Sequence, residues 1–203
     1  MTSHFVNLLT SPAVKAAQEA NGSRAAMARH DDAAGEADRL TEREAAFIAV
    51  RDSFYMATVG HEGWPYMQHR GGPAGFVKVL SERTFAFADF RGNRQFLSVG
   101  NLTEDNRAAF FFMDYPNRAR LKVLGRVRSV ELEANPALAK ALIVPGYKAV
   151  PERALVVDVE AFDWNCPQHI TPRFTVEQIE PAVEALKARI AELEVELKRR
   201  PTV

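Results

Sequence analysis

Between residues 54 and 162 the chain is a succession of short runs rich in aromatic and β-branched residues, each closed by turn chemistry, and this rhythm restricts the fold more than any other feature. Runs at 54–59 and 66–70 flank His61-Glu62-Gly63, and runs at 76–80 and 84–88 flank Ser81-Glu82-Arg83. Both spacings suit hairpins between antiparallel strands. Three more runs follow at 108–113, 119–131 and 154–162, with helices expected at 95–102 and 136–143. A parallel, doubly wound sheet needs a crossover helix between successive strands, and too few are on offer. The expected class is mainly β with α additions (α+β), the strands forming a closed or partly closed antiparallel barrel.

The flanks follow other rules. Ser11 can cap a helix that Pro12 opens and Asn21-Gly22 stops, and a second short helix is expected over 23–30. Residues 31–38 are acidic, small and weakly periodic, which predicts a linker. Thr41 and Glu44 form a capping box ahead of Ala45, Phe47, Ile48 and Val50, so a third helix should end near Arg51. At the other end Ile179, Val183, Leu186, Ile190, Leu193 and Leu197 alternate spacings of four and three among Glu, Lys and Arg. That is a heptad seam, open to pairing across a dimer or to docking on the barrel, with Pro181 expected in the first turn. The chain thus divides into an N-terminal helical arm (1–44), a barrel (45–174) and a C-terminal helix (175–203).

The 203 residues, 47% hydrophobic, are enough for one substantial core. With 26 basic and 26 acidic side chains there is no global field to gather nucleic acid or an anionic membrane, so any anion site must be local. A single cysteine, Cys166, excludes an intrachain disulfide, and no apolar run reaches the roughly 20 residues of a membrane span. With no leader-like N-terminus, a soluble cytoplasmic protein is expected. His4, His30, His61 and His169 show no metal-ligand spacing.

The residues with most chemical content lie between 64 and 98. Arg70, Lys78, Arg91 and Arg94 are delivered around Gly71-Gly72 and Gly92, and cations beside unobstructed backbone N–H groups suit a small phosphorylated ligand. Each residue also has a plainer reading. Arg70 and Arg94 can be solvated strand-end and turn residues, Lys78 an outward-facing strand lysine, Asn93 a helix N-cap, His69 a structural histidine and Cys166 an inert thiol.

The segments His69-Arg70-Gly71-Gly72-Pro73, Asp89-Phe90-Arg91-Gly92-Asn93-Arg94 and Asn165-Cys166-Pro167-Gln168-His169-Ile170 carry a family likeness. Over about residues 45–173 the chain resembles the pyridoxamine 5'-phosphate oxidase-like, FMN-binding split-barrel superfamily. Pro12-Ala13-Val14 and Gly22-Ser23-Arg24 extend the likeness into the arm. The resemblance implies a homodimer of split β-barrels with FMN at the subunit interface. Gln68, His69 and Arg70 would lie along the flavin, Lys78 would occupy the family's lysine position, and Ala88 and Asp89 would make the next contact. Asn93, Arg94 and Gln95 would form the phosphate turn, and Arg120 would reach in from the second subunit. Gln95 stands where a second cation is usual, leaving Arg91 or Arg70 to compensate. Gln168 suits the flavin carbonyls and N3, and Arg173 a negative charge near N1.

The arginine- and histidine-bearing terminal segment that grips the phosphorylated vitamin in true oxidases is absent, so vitamin B6 oxidation is not expected. What remains is an FMN-dependent oxidoreductase using a small-molecule electron donor and acceptor, without a Gly-x-Gly-x-x-Gly nicotinamide fingerprint. A non-catalytic flavin-binding or flavin-sensing protein is one alternative. A haem-binding split barrel, with His69 or His169 as axial ligand, is another.

Overall fold

A computed structural model of the chain describes residues 3–31, 35–164 and 167–199. The seven expected strands all form: β1 (Ser53–Val59), β2 (Pro65–Gly71), β3 (Val77–Ser81), β4 (Thr84–Phe90), β5 (Arg107–Asp114), β6 (Ala119–Val130) and β7 (Pro151–Trp164). They make one antiparallel sheet in the order β2-β1-β5-β6-β7-β4-β3. Because β2 and β3 are its two edges, the sheet curls without closing, which is the split-barrel architecture.

Alternation along the strands places the core. Phe110 and Phe112 of β5 point inward between outward neighbours and meet Phe54, Phe85 and Phe87, with Phe54 lying 4.9 Å from Phe87 and 5.0 Å from Phe112 between ring centroids. Each such ring, fully buried, contributes roughly 1.5–3 kcal/mol of transfer free energy. β4 departs from alternation and is buried throughout its interior, because helix α6 (Pro136–Leu142) covers its other face through Leu142 against Ala86 and Ala88. At the β6–β7 ladder the register shifts at Leu124/Gly125. A Cβ on Gly125 would lie 2.7 Å from Val157 Cγ1 and 2.8 Å from the Asp158 carbonyl oxygen, so only glycine permits this approach.

The arm is helical as expected: α2 (Pro12–Ala20) with its Ser11 cap, α3 (Arg24–Met27) continued by a 3₁₀ turn at Ala28–His30, and α4 (Glu42–Ala49) with its capping box. The Glu44 carboxylate also accepts from the Trp164 indole, Nε1 to Oε1 2.6 Å, which joins the cap to the end of β7. The linker is partly outside the described residues. Its end is strapped to the sheet, where Asp38 N donates to the Glu160 carbonyl (2.9 Å) and the Asp38 carboxylate accepts from Phe162 N (3.0 Å).

Three details differ from the expectations, and one of two alternatives left open falls away. A first helix, α1 (Ser3–Leu9), had no cap signal to announce it, and buries Phe5 beside β7. The helix after β4, α5 (Leu97–Glu104), begins two residues later than expected, with Phe96 at its N-cap. The C-terminal helix, α7 (Val176–Arg199), starts early enough to put Pro181 in its second turn, because Thr175 and Gln178 cap it reciprocally at 3.3 Å and 2.9 Å. Finally, α7 does not dock on the barrel, and all its described residues are exposed. No helix among the described residues is long and apolar enough to cross a membrane.

Candidate functional site

The end of β2, the end of β4 and the start of α5 converge on a cavity of about 270 Å³. Gln68, His69 and Arg70 reach it from β2, Ala88 and Asp89 from β4, and Asn93, Arg94 and Gln95 from the connection into α5. Arg70 and Arg94 thus meet at one place, whereas Arg91 is exposed and not part of the lining. β2 lies at the far edge of the sheet from β4, and it is the curl of the open barrel that brings their ends together.

Charge is concentrated here. Arg70 Nη1 is 2.5 Å from Asp89 Oδ1, and Arg153 Nε is 3.6 Å from Asp89 Oδ2. Glu152, which lines the cavity, pairs with Arg91 at 3.1 Å and with Arg153 at 3.6 Å. Arg70 and Arg94 line the cavity together with Asp89 and Glu152, while Arg91 and Arg153 pair with those two carboxylates from outside the lining, so the cluster as a whole sets four guanidinium groups against two carboxylates in a chain of zero formal net charge. The Nε atoms of Arg70 and Arg153 are buried and make no hydrogen bond among the described residues. An unpaired buried donor costs roughly 1–3 kcal/mol, and of the two only Arg70 lines the cavity that an anionic ligand would enter.

The loop is unusual in backbone. Arg94 (φ 60°) and Phe96 (φ 55°) are both left-handed, a conformation that side chains with a Cβ adopt rarely. Phe96 has no side-chain hydrogen bond to offer as N-cap, and Leu97, Ser98 and Val99 at the opening of α5 line the cavity. The first N–H groups of a helix have no intrahelical partner, and an anion at such an end is favoured by the helix dipole. Asn93, read above as that helix's N-cap, instead accepts from Gln95 N at 3.2 Å and shapes the turn ahead of it. Phe96 packs under the Arg94 and Arg153 guanidiniums at 5.8 Å and 5.2 Å.

Four of the proposed residues lie elsewhere. Lys78 is on β3 next to the Gly75 turn, where a Cβ on Gly75 would come within 3.9 Å of its Nζ. Arg120 is on β6 over Phe111, 5.8 Å from the ring, with a buried Nε that makes no hydrogen bond among the described residues. Arg173 stands 4.9 Å over the Tyr115 ring, and Gln168 is in the exposed turn after β7. Tyr55 packs edge-on to His69 at 5.7 Å, and together with Tyr115 it gives this outer face of β1 and β2 an aromatic, ionisable character. Burial first, then the Tyr55 hydroxyl, raises the Tyr115 phenol above its usual value, with Arg173 opposing. Cys166 lies outside the described residues. No cluster of metal-ligating residues occurs among the described residues.

Sequence reasoning missed Arg153, Glu152, Phe96 and Ser98. Arg153 faces Asp89 across the β4–β7 ladder, a pairing fixed by register between segments far apart in the chain. Its signal was an arginine at the mouth of a predicted strand, which alone means little.

Residues 40–164, more than half of the chain, match the family model of pyridoxamine 5'-phosphate oxidase. Among solved structures, HupZ of Group A Streptococcus is 15% identical, covers 66% of this chain and 99% of its own, and superposes with a TM-score of 0.47. An FMN-binding protein from Syntrophomonas wolfei is 16% identical over 59% of this chain and 81% of its own, with a TM-score of 0.46. A Clostridium acetobutylicum protein related to general stress protein 26 is 16% identical over 66% and 92%, with a TM-score of 0.43. No curated protein matches the chain. By the extent of the family match, the chain belongs to the pyridoxamine 5'-phosphate oxidase family.

Proposed function

We propose that the chain is an FMN-dependent oxidoreductase that holds the cofactor phosphate in the cavity between β2, β4 and α5, with the flavin site completed by a second copy in a homodimer. The observation that carries this reading is the buried Nε of cavity-lining Arg70, which makes no hydrogen bond among the described residues, beside a helix start with no side-chain cap and within an ion-pair cluster whose four guanidiniums exceed its two carboxylates by two charges. A phosphate dianion matches that excess and can accept from guanidinium and backbone donors together.

In this reading Arg70 and Arg94 bind the phosphate, and Asp89 orients Arg70 through the 2.5 Å ion pair. Gln68, whose carbonyl already accepts from the Tyr66 hydroxyl at 2.6 Å, presents its amide donors along the ring. Arg120, Gln168 and Arg173 serve the flavin from the outer face, where a cation near N1 stabilises reduced, anionic flavin. FMN would supply hydride acceptance at N5 and onward electron transfer to a small-molecule acceptor. No side chain needs to form a covalent bond to substrate.

The test is the absorption spectrum of the purified protein, alone and with added FMN, followed by anaerobic mixing with NADH, NADPH and small organic donors. The proposal expects bound flavin and bleaching of its visible band by at least one donor. A haem Soret band with no flavin uptake overturns the flavin reading. Flavin uptake with no reduction by any donor in the panel counts for a flavin-binding protein without turnover.

A further inference from the structure

Helix α7 is 24 residues long, about 36 Å at 1.5 Å per residue, and touches nothing that buries it. Its apolar residues nevertheless form an unbroken register. With Val176 at heptad position a, Ile179, Leu186 and Leu193 fall at d, and Val183, Ile190 and Leu197 at a. All seven are exposed, from 38% at Val183 to 70% at Leu197. An amphipathic helix of this kind, left in water, is poorly stabilised without a partner face.

We infer that α7 pairs with α7 of a second copy as a parallel, in-register, two-stranded coiled coil. This rests on the homodimer in the reading above and adds the surface and orientation by which the copies join. Two features choose this occupant. Position a carries β-branched Val176, Val183 and Ile190 against one leucine, Leu197, and d carries Leu186 and Leu193 against one isoleucine, Ile179, a majority pattern that favours parallel dimers. The flanking charges agree. In parallel register Arg189 at g lies beside Glu194 at e of the partner subunit, twice by symmetry, while Ala182 at g meets Lys187 without conflict.

The antiparallel alternatives are worse. Laying Val183 over Leu193 sets Lys187 against Lys187, Arg189 against Arg189 and Glu180 against Glu194. Slipping by one heptad removes those repulsions but strands Leu197. Pro181 occupies position f, with its ring on the face away from the seam, and the one hydrogen bond it removes, to the Glu177 carbonyl, lies N-terminal to the Val183–Leu197 part of the seam. Barrels joined as a dimer would also hold the two short helices at high effective concentration.

The orientation is read by a disulfide. In the full chain with Cys166→Ser, Leu193→Cys sets two d positions side by side if the coil is parallel. In either antiparallel register they lie at least ten residues apart, about 15 Å, beyond disulfide reach. Oxidation at low protein concentration is expected to convert most of this variant to a covalent dimer, while Val195→Cys, at f, stays uncrosslinked. Arg189→Glu should slow cross-linking several-fold, and adding Glu194→Arg should restore it. No cross-link at Leu193→Cys, or equal cross-linking at Val195→Cys, overturns the inference. Flavin content is measured on the same samples. A chain that takes up flavin without cross-linking contradicts the coil alone, and one that cross-links without flavin contradicts the proposed function alone.

Discussion

Replacing Arg94 by glycine should move folding and binding in opposite directions. Arg94 sits at φ 60°, where a residue with a Cβ is strained by about 1–2 kcal/mol, and glycine is not. Glycine also gives the unfolded chain more freedom, worth roughly 0.5–1 kcal/mol against it. Arg94 is exposed, forms no ion pair among the described residues and touches Phe96 at 5.8 Å, so its removal forfeits little packing. The net expectation is an apo protein as stable as the parent or more so, by up to about 1 kcal/mol, a rise of about 2–4 °C at this size. Losing a charge-assisted bond to phosphate costs about 1.5–3 kcal/mol, or roughly 10- to 150-fold in Kd. Differential scanning calorimetry of the apo form and a fluorescence titration with FMN read the two effects separately. Unchanged FMN affinity removes Arg94 from the site, and a fall in apo Tm contradicts the strain argument.

Other consequences are open to direct measurement. Gly125→Ala, which forces a Cβ to 2.8 Å from the Asp158 carbonyl oxygen, should cost about 1–3 kcal/mol in urea unfolding, whereas Gly100→Ala in α5, with nothing within 4 Å, should gain up to about 1 kcal/mol; equal effects would refute the close approach. Asp89→Asn leaves the Arg70 and Arg153 guanidiniums facing each other without their carboxylate, so the apo protein should lose about 2–3 kcal/mol, and inorganic phosphate should restore more of it than it adds to the parent. Burial pushes the Glu44 carboxyl up, but hydrogen bonds from Thr41 and Trp164 outweigh it and hold the group low; Asp114 is held low likewise by Asn117 and Arg51. Both therefore stabilise the fold above the ordinary carboxylate range and lose that contribution as pH falls through their native values. Melting temperatures should be flat down to about pH 5 and then decline, less steeply in Glu44→Gln; a Tm that rises on acidification contradicts the assignment.

What the sequence disclosed was what local chemistry decides. The capping box at Thr41 and Glu44, the Ser11-Pro12 start and the seven strand runs all depend on residues within a few positions of one another, and all form. The glycine-flanked arginines pointed to a local anion site because glycine beside arginine has a meaning before folding, and Arg70 and Arg94 do line one cavity. Arg153 did not, because its place beside Asp89 exists only once β4 and β7 pair. The left-handed Phe96 was equally hidden, since a bulky aromatic is an unfavourable choice there and nothing nearby foretells it. α1 is short and depends on burying Phe5 near β7, a tertiary event. The heptad of α7 was plain, but a periodic stripe says that a face wants covering without saying by what.

Comparing riboflavin with FMN isolates the proposed phosphate clamp, since the two ligands differ only in that group. Calorimetric titration of the apo protein with each should show FMN binding at least a hundredfold more tightly, about 2.7 kcal/mol, with inorganic phosphate competing against FMN. Equal affinities, or FMN binding indifferent to phosphate, would contradict the assignment of Arg70 and Arg94.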